Sequence, residues 1–288
     1  MTDSLALACA PPIPAASPPP VSLGRRLWRV ALAVVFAWTM IFAAQIVAGL
    51  LVAVVLGVGL GVSWARQHPG ATLPPAEIKS ALVAALAPSK AAFWTLAALG
   101  EAFAFALAFV PFSRLGLSGA RRALGWVAPP SWKTPLWQVP AALVAYGLWA
   151  GAAAWAMTRF LPSLSATPSI VDQISGGLGL LPLMALAVGV LAPIAEESVF
   201  RGYLYGRVDA AFGAGWAIGV SALAFSAAHF DFKHHSALQP AIVLGMGIIL
   251  GLMRRANGGL VPGAIAHATV NCGALAIAAA QHFKAAGA

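Results

Sequence analysis

The chain has 288 residues, of which 60% are hydrophobic and 9% are Asp, Glu, Lys or Arg, against roughly 25% charged in soluble domains. That composition excludes a soluble globular protein and implies an all-α polytopic membrane protein, one bundle of about seven transmembrane helices with the bilayer as solvent. The net charge of +9 arises from 17 basic residues against 8 acidic ones without an aromatic-interleaved basic patch, which excludes nucleic acid as a partner and leaves membrane orientation as its meaning.

In chain order, residues 1–24 form a Pro-rich segment that reads as a disordered cytoplasmic tail, without the basic start and apolar core of a signal peptide. Cys9 in "LALAC" therefore does not make a lipoprotein box, and its distance from Cys272 implies no disulfide framework. Apolar runs long enough to span occur near 29–62, 91–112, 136–158, 178–208, 214–231, 238–254 and 259–281. The first is long enough for a tilted, protruding helix or for one broken near "LGVGLGV". Residues 25–177 read as a variable N-terminal set of helices, 178–281 as the functional set and 282–288 as a short tail.

Orientation follows from the basic residues. With the N-terminus cytoplasmic, the inside segments carry Arg25, Arg26, Arg29, Arg114, Arg121, Arg122, Lys133, Arg201, Arg207, Arg254 and Arg255. The outside ones carry Arg66, Lys79, Lys90, Arg159, Lys233 and Lys284, so the bias favours N-inside, in a cell inner membrane. An odd number of spans then puts the C-terminus outside.

Glu101, Glu196, Glu197, Arg201, His229, His267 and Asn271 fall inside or at the edges of these runs. A charge at mid-bilayer costs at least about 2.5–3.5 kcal/mol, so several together imply a protein-lined, wet cavity. Helical rise puts Glu196 about 18 Å in from Val208, His229 about 21 Å in from Gly215, and His267 and Asn271 about 10 and 16 Å in from Leu260. All four can share one layer open toward the cytoplasm. Phe225 with His229, Glu197 with Arg201, and His267 with Asn271 are each four apart and share a helix face. Adjacent Glu196 and Glu197 point about 100° apart, so one of them should dominate the cavity.

A carboxylate that deprotonates water, a histidine that orients it and donors for an oxyanion are what hydrolysis needs. Glu196, His229 and His267 could instead ligate Zn²⁺ with water in the open position. "EESVFR", "FSAAH" and "HATVN" (Glu196, Glu197 and Arg201; Phe225 and His229; His267 and Asn271), in this order, resemble the EExxxR, FxxxH and HxxxN/D motifs of the CAAX prenyl protease and bacteriocin-processing family, also called CPBP or Abi. The resemblance covers about 178–281. It implies an intramembrane endopeptidase acting on membrane-associated peptides or proteins, prenylated or not, by a metallo or a glutamate mechanism. By motif position, Glu196 and His229 activate water, His267 and Asn271 cradle the oxyanion, and Glu197, Arg201 and Phe225 give structural support.

Other readings of the same residues are plainer. Glu197 and Arg201 make an i,i+4 ion pair. His229 could begin a polar loop, and "HFDFKHH" (His229, His234, His235) could bind adventitious metal. Glu101 reads as a helix–helix hydrogen bond and Asp172 as a cap or turn residue. "GVSA" (Gly219 to Ala222) reads as a packing contact rather than a serine-protease loop. A transporter would use the polar residues as a pathway, but repeats and paired broken helices are not evident. A non-catalytic scaffold or immunity protein would need no cavity.

Overall fold

The computed structural model describes residues 22–70, 74, 76, 80, 90–165, 178–232 and 235–286. The tail to residue 21 with Cys9, and Lys79, Asp172, Lys233 and His234, lie outside the described residues. Each expected apolar run is helical: α1 Leu23–Gln67, α2 Lys90–Phe109, α4 Lys133–Phe160, α5 Leu181–Phe212, α6 Ala214–Ala227, α7 Leu238–Asn257 and α8 Val261–Ala286. A 3₁₀ turn, Val110–Leu115, and the short α3, Gly116–Leu124, follow α2. Helix α8 runs on through residues 282–286, which the sequence assigned to a tail.

All of these but α3 and α6 are long and apolar enough to cross a bilayer. With 14 residues, α6 is about 21 Å long against a hydrocarbon core of about 30 Å. It still returns the chain to the opposite end. Beyond it, the Ala237 N–H (2.9 Å) and the Ser236 hydroxyl (3.2 Å) both donate to the Leu164 carbonyl, just past the end of α4. At the other end, Arg26 reaches the Ala211 carbonyl and the Leu260 N–H donates to Gly125.

Helix α1 is continuous through Gly57, Gly59 and Gly61, 45 residues without a break. Its buried positions are Ala33, Ala37, Met40, Ala44 and Ala48, spaced three and four apart, and beyond Ala48 it buries nothing. Small residues on that stripe let α2 and α5 approach closely, which is what stabilises helix pairs where lipid removes the hydrophobic driving force. One core then runs from Ala33 on α1 through Val199 and Phe200 on α5 and Phe225 on α6 to Ala266 on α8. Tryptophan N–H groups tie helices across it: Trp38 donates to the Ala224 carbonyl (3.1 Å), and Trp149, seated where Gly245 has no side chain, donates to Ala241 (3.0 Å).

Helix α5 is wound differently from the rest. Pro193 lacks an N–H and its ring crowds the carbonyl four residues back, so the turns before it open to a π-helix over Ala185–Leu191. The Ala192 N–H consequently bonds the Ala187 carbonyl, five back. A second π segment, Glu197–Leu204, follows directly, and the Ser198 hydroxyl donates to the Ile194 carbonyl (2.7 Å), competing with the backbone ladder there. The site motif is therefore carried on widened helix.

Ser221 is fully buried with its hydroxyl on the Ile218 carbonyl (3.3 Å), and the next residue, Ala222, meets Gly247 of α7. This is the packing contact read from "GVSA". A Cβ at Gly247 would lie 2.9 Å from both Cα and Cβ of Ala222, whereas one at Gly219 would meet nothing within 4 Å. Gly247→Val should therefore destabilise the fold by about 1–3 kcal/mol through overpacking. Gly219→Ala should leave the melting temperature in detergent unchanged or higher. Equal melting temperatures for Gly247→Val and the parent would refute the close α6–α7 contact.

Candidate active site

Three helices deliver the polar cluster. Glu196 and Glu197 lie midway along α5 where the α-helical turn gives way to π. His229 sits in the turn just past α6, its N–H on the Ser226 carbonyl (3.0 Å). It is thus both the end of an apolar helix and the first polar residue of a loop. His267 projects from α8 and is 4% exposed.

They meet around Glu196. One carboxylate oxygen lies 4.0 Å from His229 Nε2 and the other 3.5 Å from His267 Nε2. The other nitrogen of each ring is occupied: His229 Nδ1 is 2.9 Å from the Phe225 carbonyl, and His267 Nδ1 is 3.3 Å from Glu197 Oε1. Only an N–H can bond a carbonyl oxygen, so His229 carries a proton on Nδ1. In its neutral form Nε2 is then bare and faces Glu196 as one acceptor to another. A hydrogen donor belongs between them. A water about 2.8 Å from both atoms would subtend about 90°, close to its own bond angle, and could donate to each. Glu196 and His229 keep 17% and 25% side-chain exposure, so water has access.

Behind this layer lies the support. Arg201 NH1 is 3.1 Å from Glu197 Oε1, with the two side chains 0% and 1% exposed. The contact is charge pairing without hydrogen-bond alignment, since NH1 is among the buried polar atoms left without a hydrogen-bond partner. The guanidinium also rests 4.2 Å above the centre of the Phe225 ring, a desolvated cation–π contact. Phe225 in turn meets both histidine rings, at 4.8 Å (His229) and 5.7 Å (His267).

Of the adjacent glutamates, expected to leave one in command of the cavity, Glu196 keeps 17% exposure and Glu197 1%, yet both reach His267, one at each ring nitrogen. Glu197 thus holds an imidazole as well as an arginine. Arg201 was counted among the basic residues that orient the chain, but it is fully buried in its pair and leaves that tally.

Asn271 is placed otherwise than its neighbours. It lies one turn beyond His267, and its Nδ2 donates to the Val188 carbonyl (2.8 Å) in the first π segment, tying α8 to α5. One amide hydrogen is committed there. Beside this tie, Cys272 Sγ fills the space left by the missing side chain of Gly189.

Glu101 bonds across helices as expected: Gln45 Nε2 of α1 donates to Glu101 Oε1 of α2 at 3.3 Å. The missing side chain of Gly100 admits Gln45. Two further residues escape the motif reading. Trp126, in the segment after α3, donates its indole N–H to Ser198 (2.8 Å), and Ser198 holds the α5 backbone next to the glutamates. Ser198 was available as a polar residue inside "EESVFR"; nothing around Trp126 signalled its partner.

The proposed zinc ligands Glu196, His229 and His267 do come together. Among the described residues, however, no group of three or more His, Cys, Asp or Glu is arranged to hold a metal ion. Ligand atoms about 2.0–2.2 Å from a tetrahedral ion lie about 3.3–3.6 Å from one another, so separations of 3.5 and 4.0 Å suit a shared water and a shared ion alike. His234 of "HFDFKHH" lies outside the described residues.

Residues 178–273 match the family model described as type II CAAX prenyl endopeptidase, Rce1-like. The matched segment includes all three motifs. No curated protein and no solved structure matches the chain.

Because Glu197 stands between Arg201 and His267, removing either charge leaves the other buried and uncompensated, at a cost of about 3–5 kcal/mol. Arg201→Ala should lower the yield of folded protein and the melting temperature in detergent far more than Arg121→Ala on the exposed face of α3. Undiminished thermal stability in Arg201→Ala would show that the ion pair supports nothing.

Proposed function

We propose, from the match of residues 178–273 to the type II CAAX prenyl endopeptidase model, that the chain is a protease of that kind and cleaves peptide bonds with a water held between Glu196 and His229. It is an integral, multi-pass membrane protein with a peptide substrate at the membrane. The observation that carries the mechanism is the Glu196 carboxylate between two imidazole Nε2 atoms, at 4.0 and 3.5 Å.

In the proposed step the water gives one proton to Glu196 while His229 Nε2, its Nδ1–H anchored on the Phe225 carbonyl, fixes the oxygen's direction. The oxygen attacks the peptide carbonyl carbon, and negative charge develops on the carbonyl oxygen. His267, held at Nδ1–H by Glu197 as an imidazolium, presents Nε2–H on the same side as Glu196 and donates that hydrogen to the oxyanion. The amide hydrogen of Asn271 that Val188 leaves free is the second donor. Glu196 then returns its proton to the leaving amine as the C–N bond breaks. Arg201 and Phe225 touch no reacting atom; they position Glu197 and the two rings.

Substrate enters as an extended chain near the bilayer surface. A recess of about 460 Å³, lined by Phe105, Phe109, Trp126, Ile194 and Val261 with Arg121 as its one charged residue, opens two residues from Glu196 and suits the apolar part of a membrane-anchored peptide, a prenyl group among the candidates. An N-inside orientation accords with the basic residues gathered at the end of the bundle formed by Arg26, Arg207, Arg254 and Arg255.

With one peptide substrate, Glu196→Gln should abolish turnover while the protein stays folded. Persistent turnover in that variant would show that Glu196 is not the base. Asn271→Ala should lower kcat by about 10²–10³ with KM little changed. A change confined to KM would leave Asn271 as a helix tie alone.

Metal dependence is separable. Activity should survive exhaustive chelation, and purified active protein should contain no stoichiometric zinc. Loss of activity on chelation with recovery on added Zn²⁺ would make Glu196, His229 and His267 ligands.

A further inference from the structure

Where α1 begins and α5 finishes, a recess of about 730 Å³ is framed by three guanidinium groups: Arg26 and Arg29 from α1, and Arg207 from α5. Its lining includes no carboxylate, and Ala33, Ala210 and Ala211 leave its floor empty. Positive-inside sorting explains why arginines lie at this end of the helices. It does not explain why residues nearly 180 positions apart converge on one hollow.

The arginines are also held toward it. The Arg207 guanidinium lies 5.4 Å from the centre of the Tyr203 ring and 6.0 Å from that of Phe112. Arg26 NH1 lies 3.5 Å from the Ala211 carbonyl on the far wall. Like charges gathered in a hollow with apolar walls focus a positive potential and favour an anion. A guanidinium fork matches phosphate oxygens.

The surroundings select the source of the phosphate. Immediately along α1, Leu27, Trp28, Leu32, Val35 and Phe36 are exposed, an apolar and aromatic surface of the kind that meets lipid. The recess therefore sits at headgroup depth with acyl-chain surface beside it. We infer that it binds the phosphate of an acidic phospholipid, with Arg29 and Arg207 on the phosphate oxygens and the chains along Leu32 and Phe36. Basic pockets between helices at a membrane face recognise such headgroups. This site is separate from the glutamate–histidine cluster and does not depend on what that cluster catalyses.

The test uses the full-length protein in detergent, titrated with short-chain phosphatidylglycerol, with phosphatidylcholine of the same chain length, or with inorganic phosphate. Bound lipid is counted by native mass spectrometry. Phosphatidylglycerol should be retained in preference to phosphatidylcholine. The double variant Arg29→Gln/Arg207→Gln should weaken that retention by about tenfold or more. Ala210→Trp, which fills the hollow and keeps all three charges, should weaken it too, whereas Arg25→Gln, outside the recess, should not. Equal retention of the two lipids would overturn the inference, as would unchanged phosphatidylglycerol retention in both recess variants. Displacement of phosphatidylglycerol by millimolar inorganic phosphate would also overturn it, by showing that the anion alone is the occupant.

Discussion

A guanidinium with no exposure to solvent, halfway through an apolar bundle, is the constraint around which this structure is arranged. Arg201 cannot lose its charge and cannot reach water, so the fold must bring it an anion and a polarisable surface. Glu197 supplies the first from one turn away, and Phe225 of α6 supplies the second as a ring face. Meeting that demand fixes the rest. Glu197 has a second neighbour in His267, and Phe225 lies against both histidine rings. The three motifs, which read along the chain as separate signatures, are thus in space the surroundings of one cation.

The same arrangement accounts for two glutamates in succession. Glu197 is sealed, holds structure and offers nothing to substrate. Glu196 keeps limited exposure and faces the Nε2 atoms of both rings. Widening of α5 into π turns accompanies this division, and the first widening traces to Pro193, three residues before the pair.

Much of this was legible in the sequence because it depended on residue identity and spacing. Glu196, His229, His267 and Asn271 were predicted to share a layer from helical rise alone; the first three meet, at 4.0 and 3.5 Å from the Glu196 carboxylate, whereas Asn271 bonds the Val188 carbonyl. Glu101 was read as an interhelical hydrogen bond, although its partner Gln45 could not be named without knowing that Gly100 leaves room for it. Less could be seen where backbone departs from ideal geometry. The Val188 carbonyl that takes an Asn271 hydrogen belongs to a π turn, which no α-helical wheel predicts. Rise and periodicity likewise assumed α5 to be regular, and so kept Glu197 away from His267.

The shortness of α6 bears on how water reaches the middle of a membrane. A helix about 21 Å long cannot match a hydrocarbon layer of about 30 Å, and the mismatch is relieved by thinning of the bilayer or by drawing polar headgroups inward beside it. The turn that closes α6 carries His229, so the dimple in the lipid would form next to the residue that faces the Glu196 carboxylate. Such a dimple lies at the end of α6 opposite Arg26 and Ala211, whereas helical rise had the layer open toward the Arg26 end. Protein and lipid together bring the aqueous boundary down to the cluster, and a peptide lying along that depressed surface would already be near the depth of the glutamate.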